Sequence, residues 1–347
     1  MPGAEGFQRS ALKGEIPLAA KIEFLRRPES YPGRVKSVKA VETHISWVFL
    51  TENHAYKLKK PVQYPILDFA SLESRRRNSL AELRLNRRLA PDVYLAVVPL
   101  KSDLEGRLRL GGRGRTVDWL VKMRRLPKDR TLEDRIRRHN LRREDLASLA
   151  RMLAGFYRGA IPVAMTAPSY RRRYAARIRA NRNELTRRRW RLPADIVRRV
   201  TTAQIAFLAG YADLFDERIR AKRIVEGHGD LRPEHIYLGA RPLVLDSLEF
   251  NRAFRVVDPA DEVSFLALEC ERLGARRPGE YILGRYEKLT GDRIPAKLLA
   301  FYKSERACVR AKIAILHLAE TGARGAAKWR RRAIRYLKLA EKYARGL

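Results

Sequence analysis

Three short apolar-rich runs, at 38–41, 47–50 and 55–58, open the readable part of the chain. Their β-branched and aromatic content predicts strands, and Glu52-Asn53-His54 between the last two reads as a tight hairpin turn. A helix is predicted over 71–89, with Leu80, Leu83, Leu85 and Leu89 as its apolar residues and Pro91 as its stop. Residues 94–100 and 117–123 read as further strands, with turns at Gly106 and at Gly111-Gly112. The order β-β-β-α-β-β predicts an antiparallel sheet with one helix, an α+β unit.

After Pro127 the pattern becomes helical. Leu146, Leu149, Ala150, Leu153 and Phe156 form one helical face, and residues 205–214 form another. A β-rich island interrupts at 224–250, and helices resume at about 260–273, 280–290, 296–318 and 325–344. Residues 1–34 carry four prolines, and Ile16, Leu18, Ile22, Phe24 and Leu25 predict a short helix there. The expected organisation is an appendage (1–34), a sheet-rich N-lobe of five strands and a helix (35–123), and a helical C-lobe (124–347) carrying a catalytic loop at 228–250.

Composition narrows the class. With 347 residues, 45% apolar and 33% charged, the chain has material for about two packed units. The formal net charge of +35 favours anionic ligands and repels cationic ones. Two cysteines without a CxxC pair exclude a disulfide framework and a cysteine-based zinc site. No apolar run approaches the ~18 residues of a membrane helix, and no signal peptide is evident, so a cytoplasmic protein is expected.

The chemistry concentrates in the island. His228-Gly229-Asp230-Leu231-Arg232-Pro233-Glu234-His235 places Asp230 in a polar loop, and Asp246 ends a short strand sixteen residues later. Two carboxylates so arranged suit a magnesium–phosphate site, one holding the metal and the other orienting a hydroxyl.

These residues resemble the HGDxxxxN loop of aminoglycoside phosphotransferases and choline-kinase-like enzymes, small-molecule relatives of protein kinases. Residues 245–250 (Leu-Asp-Ser-Leu-Glu-Phe) resemble the family's metal-binding segment, and residues 257–263 (Val-Asp-Pro-Ala-Asp-Glu-Val) its DPxxDLA segment, which braces the catalytic loop. Residues 82–91 (Glu-Leu-Arg-Leu-Asn-Arg-Arg-Leu-Ala-Pro) resemble a block of a bacterial aminoglycoside-phosphotransferase-family branch, some members of which carry an added P-loop kinase domain. The likeness spans about residues 36–320 and implies a two-lobed protein-kinase-like fold and an ATP-dependent phosphotransferase acting on a small-molecule hydroxyl.

The resemblance also implies the site. Lys57 contacts the nucleotide phosphates, with Glu82 as its ion-pair partner in preference to Glu73. Thr43 and Ser46 cover the phosphates in place of a glycine-rich loop, and Met123 belongs to the hinge that meets adenine. Asp246 binds Mg2+, His235 supports the metal or the loop, and Asp230 orients the acceptor and takes its proton. The implied cofactors are ATP and Mg2+. Position 235 departs from the family's Asn, and imidazole suits softer metals than magnesium does. That substitution keeps open a pseudokinase, a nucleotide-binding module without turnover.

A third reading comes from charge. Residues 171–200 hold twelve Lys/Arg and two acids, and residues 321–347 hold nine and one. Solvated helix faces account for such runs, with nucleic-acid binding as the alternative. For the acceptor, the net charge favours a neutral or anionic compound over a polycationic aminoglycoside.

Overall fold

The structure is a computed structural model that describes residues 16–321 and 323–347. Two compact units divide the chain, one of residues 16–128 with 243–254 and one of residues 129–242 with 255–347.

The first unit opens with α1 (Leu18–Leu25), followed by β1 (Lys39–Glu42), β2 (Ser46–Leu50) and β3 (His54–Lys59). A two-stranded hairpin, β4 (Gln63–Tyr64) and β5 (Leu67–Asp68), leads into α2 (Leu72–Asn86). Then come β6 (Tyr94–Ser102), β7 (Leu108–Leu110) and β8 (Arg115–Arg124). The antiparallel sheet runs β1-β2-β3-β8-β6-β7. It has six strands where the sequence suggested five, because Leu108-Arg109-Leu110 is a three-residue strand enclosed by turn glycines and too short to show a period.

Strand alternation sorts the two faces of this sheet. Trp47, Phe49, Tyr56 and Leu58 pack with Leu25 and Ile22 of α1 on one face. Of the segment set apart as an appendage, residues 1–15 lie outside the described residues, and residues 16–34 pack into the sheet's apolar cluster, where the Lys21 ammonium is buried, donating to the Val117 carbonyl at 2.9 Å and to Asp118 at 2.8 Å. On the other face lie Ala55, Val121 and Met123 with Val48 and Leu50.

Helix α2 starts at an N-cap, the Ser71 hydroxyl accepting from the Ser74 amide at 3.0 Å. The leucine pattern misreads its inner face. Leu80 is exposed, while Ser74, Arg75, Ser79, Glu82 and Asn86 are buried alongside Leu85. Arg75 donates to Asp118 at 2.8 Å, so ion pairs take the place of apolar packing along this helix.

The second unit is helical: α3 (Leu132–Arg137), α4 (Arg143–Arg158), α5 (Ala167–Leu185), α6 (Ala194–Gly210), α7 (Ala212–Arg220), α8 (Pro259–Arg272), α9 (Arg276–Thr290), α10 (Ala296–Thr321) and α11 (Ala323–Ala344). The single element expected at 205–214 is two helices, broken at Tyr211. Helix α8 is buried from Pro259 to Cys270 and is the centre of the packing. Cys270 and Cys308 are free core thiols, each pushed up to about 12 by burial.

Several aromatics of the basic runs are core residues. Tyr174, Trp190 and Tyr336 are all buried and so present no face for base stacking. No helix among the described residues is long and apolar enough to cross a membrane.

Candidate active site

Strand β3 carries Lys57 and Lys59 on the face that Ala55 occupies, two residues apart in each step. Helix α2 offers Glu82, wholly buried, to both: Lys57 Nζ donates to Oε1 at 2.9 Å and Lys59 Nζ to Oε2 at 2.6 Å. Glu73 is exposed on the first turn of α2, 3.6 Å from Arg76, and takes no part.

The chain returns to this unit at Leu243. Leu243 and Leu245 pack on the cluster of Ala55 and Met123, and the Ser247 amide donates to Asn86 at 2.9 Å. This anchoring places Asp246 in a left-handed backbone conformation (φ 65°), uncommon for a residue with a side chain and a mark of a constrained site. Its carboxylate accepts from Lys57 Nζ at 3.0 Å, and its amide donates to the Tyr94 hydroxyl at 3.3 Å. Glu249 completes the group by pairing with Lys59.

The cluster thus holds two ammonium groups and three carboxylates. Burial works against the Lys57 charge, but Asp246, Glu82 and Glu249 outweigh it and hold the ammonium well above its ordinary value. Glu82 is raised by burial and lowered further by the two lysines, so it stays ionised. For Glu249 burial wins, and its carboxyl lies above the ordinary range.

The other predicted nucleotide contacts fall in this unit too. The Thr43 hydroxyl donates to the Ser46 carbonyl at 2.8 Å and accepts from the Ser46 amide at 3.0 Å, closing the turn between β1 and β2. The Ser46 Oγ is buried without a hydrogen-bond partner among the described residues. Met123 is buried near the end of β8, against Ala55, Val93 and Tyr94, with Val48 and Leu245 partly covered beside it.

Asp230 lies in the helical unit. Glu262 of α8 fixes its loop by accepting from the His228 and Gly229 amides and from the Tyr157 hydroxyl. Gly227 is required where Glu262 comes closest, because a Cβ there would collide with that carboxylate and with Val257. Asp258 and Asp261 are scaffold. Asp258 caps α8 and takes a two-pronged pair from Arg218 at 2.7 Å, and Asp261 takes one from Arg306 at 2.7 and 2.8 Å.

The Asp230 carboxylate sits 2.7 Å from Arg232 Nε and 3.8 Å from Arg310 Nη1. Burial raises its pKa, but Arg232 and Arg310, then His235 and His228, reverse the effect and leave it at about 2. His235 donates or accepts at both ring nitrogens: Nε2 lies 2.9 Å from Arg232 Nη2 and Nδ1 lies 3.0 Å from the Asp230 carbonyl. A guanidinium only donates, so Nε2 accepts and Nδ1 carries the proton. His235 therefore ties the loop together, and its Nε2 lone pair faces Arg232.

Sequence reasoning missed Lys59, Arg232, Arg310 and Glu262 as parts of these groups. Lys59 was legible in principle, since residues 57 and 59 must share a face of any strand. Arg310 was not, because it arrives from α10, eighty residues beyond the loop.

The paired lysine and glutamate of a sheet unit, a constrained aspartate after a short strand, and a braced HGD loop in a helical unit are the elements of a protein-kinase-like fold. The chain has that fold. It is similar to choline kinase from Cryptosporidium parvum Iowa II (TM-score 0.54, 9% identity, covering 93% of this chain and 96% of that one). It is also similar to a choline/ethanolamine kinase family protein from Mesorhizobium loti (TM-score 0.50, 15% identity, 93% and 99% covered). Aminoglycoside 2'-phosphotransferase-IIIa in its GDP complex matches at a TM-score of 0.48, with 15% identity over 89% of this chain and 93% of that one.

No protein-family profile matches the chain. In sequence it is 32% identical over 308 residues to uncharacterized proteins of Mycobacterium tuberculosis (strain H37Rv) and Mycobacterium bovis, a match covering 87% of this chain. The match spans 59% of the length of those relatives.

Proposed function

We propose that the protein is an ATP-dependent phosphotransferase acting on a hydroxyl of a small molecule. The observation that carries this reading is the Lys57–Glu82–Asp246 triad, joined at 2.9 and 3.0 Å with Asp246 in a strained backbone conformation. In this reading Lys57 binds the nucleotide phosphates and Glu82 fixes its position. Val48, Ala55, Leu245 and Met123 supply an apolar wall for adenine, and the Thr43–Ser46 turn offers hydroxyl and amide groups to the phosphates.

The donor set fits magnesium: the Asp246 carboxylate is a hard oxygen ligand, half exposed although its neighbours Lys57 and Glu82 are largely covered. When bound, magnesium neutralises phosphate charge. The ring of His235 is engaged within its own loop, so loop support is the role we assign to it. Asp230 orients the acceptor hydroxyl. With a pKa of about 2 it is a weak base, which fits a reaction in which positioning and charge neutralisation carry most of the rate.

The test is ATP consumption with magnesium across a panel of hydroxyl acceptors, using the wild-type chain and Asp230→Asn. The expected result is turnover that falls by roughly a thousandfold in the variant while nucleotide affinity is kept. The tied Asp230 carboxylate favours one competing reading, a nucleotide-binding module without turnover. Nucleotide binding with no acceptor consumed by the wild-type chain would establish that module and end the kinase reading.

A further inference from the structure

A cavity of about 120 Å³ lies within the helical unit beside the Asp230 loop. Its walls include Arg232 and Glu234 from the loop, Arg310 and His317 from α10, and Trp329 and Arg332 from α11. Arg232 and Arg310 are the two arginines that also face the Asp230 carboxylate. The cavity therefore adjoins the group assigned to the acceptor hydroxyl.

The charges in this wall do not cancel. Arg232 is balanced by Asp230 and Glu234, and Arg310 lies 3.6 Å from Glu269, itself paired with Arg272. Arg332 has no carboxylate partner among the described residues. Its guanidinium lies over Trp329, 5.5 Å from the ring centroid, and His317 stacks on the same indole at 4.6 Å. A half-buried guanidinium lying over aromatic rings, with no carboxylate to bind, keeps N–H donors for an anion. Glu234 Oε2 is buried without a hydrogen-bond partner among the described residues and can accept from a ligand hydroxyl. The volume admits one phosphate or carboxylate group with a short carbon skeleton.

We propose that this cavity is the acceptor pocket and that the acceptor is an anionic hydroxyl compound whose phosphate or carboxylate pairs with Arg332. The proposal rests on the phosphotransferase reading and makes it specific. An acceptor carrying a fixed positive charge would meet the uncompensated guanidinium of Arg332 here, which disfavours choline-like and aminoglycoside-like cations.

The experiment uses the full chain and calorimetric titration at fixed salt. Glycerol 3-phosphate, glucose 6-phosphate and gluconate are the anionic probes, and glycerol, glucose and choline are the uncharged and cationic controls. At least one anionic probe is expected to bind saturably while the controls do not. Arg332→Met should weaken that binding at least tenfold, and Arg332→Lys should retain most of it, with both variants melting like the wild type. Equal binding in Arg332→Met, tighter binding of a control, or no binding of any anionic probe would overturn the proposal.

Its failure is separable from failure of the kinase reading. ATP-dependent phosphorylation of choline or glycerol, indifferent to Arg332, would remove the anionic pocket and keep the enzyme. Arg332-dependent anion binding without any ATP consumption would keep the pocket and remove the enzyme.

Discussion

Lys59 gives the sharpest test of how the sheet unit is held together. Its side chain has no exposed surface and lies between Glu82 and Glu249, themselves almost fully covered. Replacing it with methionine fills much the same volume but leaves three carboxylates facing only Lys57. Removing one partner of a buried ion pair costs about 3–5 kcal/mol, since the remaining charge has lost its compensation. Glu249 limits the loss, because its raised pKa lets it take a proton more readily than an ordinary carboxyl. We therefore expect Lys59→Met to lower the local opening free energy by about 3 kcal/mol at pH 8, with a smaller effect at pH 5.

The decisive variant is the double one. In Lys59→Met/Glu249→Gln the stranded charge is gone, and about 1 kcal/mol or more of the loss should return. Hydrogen exchange read by mass spectrometry on peptides covering β2, β3 and α2 measures this without unfolding the helical unit. A double variant less stable than Lys59→Met alone, or a loss that does not depend on pH, would refute the claim that this cluster is held by charge compensation.

Other consequences follow from the helical unit. Arg218 is buried and shared between Asp258 and Asp292 at 2.5–2.7 Å, so Arg218→Met should cost about 3–5 kcal/mol in chemical denaturation. Gly279 of α9 lies so close to α8 that a Cβ would stand 2.9 Å from the Ala267 Cα and carbonyl oxygen; Gly279→Ala should lower the melting temperature by several degrees, since backbone must give way. The Asp230 carboxyl is depressed from 3.8 to about 2, so it adds stability above its unfolded value, about 2 kcal/mol, and loses it as pH falls from about 4 towards 2. An acid titration followed by circular dichroism should show that loss diminished in Asp230→Asn.

How much of this was legible in the sequence follows from the range of each signal. Strands β2 and β3 show as short runs of β-branched and aromatic residues because both faces of the sheet are packed, and helices such as α4 carry clear apolar stripes. Lys57, Glu82, Asp230 and Asp246 were found by their spacing in a known pattern, a signal that names positions without giving their environment. The inner face of α2 was misread because it buries Arg75, Glu82 and Asn86, and burial of charged residues leaves no apolar period. The return of residues 243–254 to the sheet unit was invisible for a different reason. It depends on Leu243 and Leu245 meeting Met123, some 120 residues earlier, and on the Asn86 side chain meeting the Ser247 amide.

His235 shows why composition at one position is a poor guide to its role. Read as a substituted metal ligand, it casts doubt on the chemistry of the whole site. Placed in its loop, its Nδ1–H is spent on the Asp230 carbonyl and its lone pair on Arg232, and Arg232 in turn holds the Asp230 carboxylate. The three residues form a closed chain in which each fixes the next. An asparagine offers a donor and an acceptor on a shorter reach, so it can meet the constraint that His235 meets here, holding Asp230 still in its loop. Because the constraint is geometric, His235→Asn should keep the loop's hydrogen bonds and most of the Asp230 depression, which comes chiefly from Arg232 and Arg310, whereas His235→Ala releases Arg232 and should let that carboxyl drift further upward, a difference readable by carboxyl resonances in a pH titration.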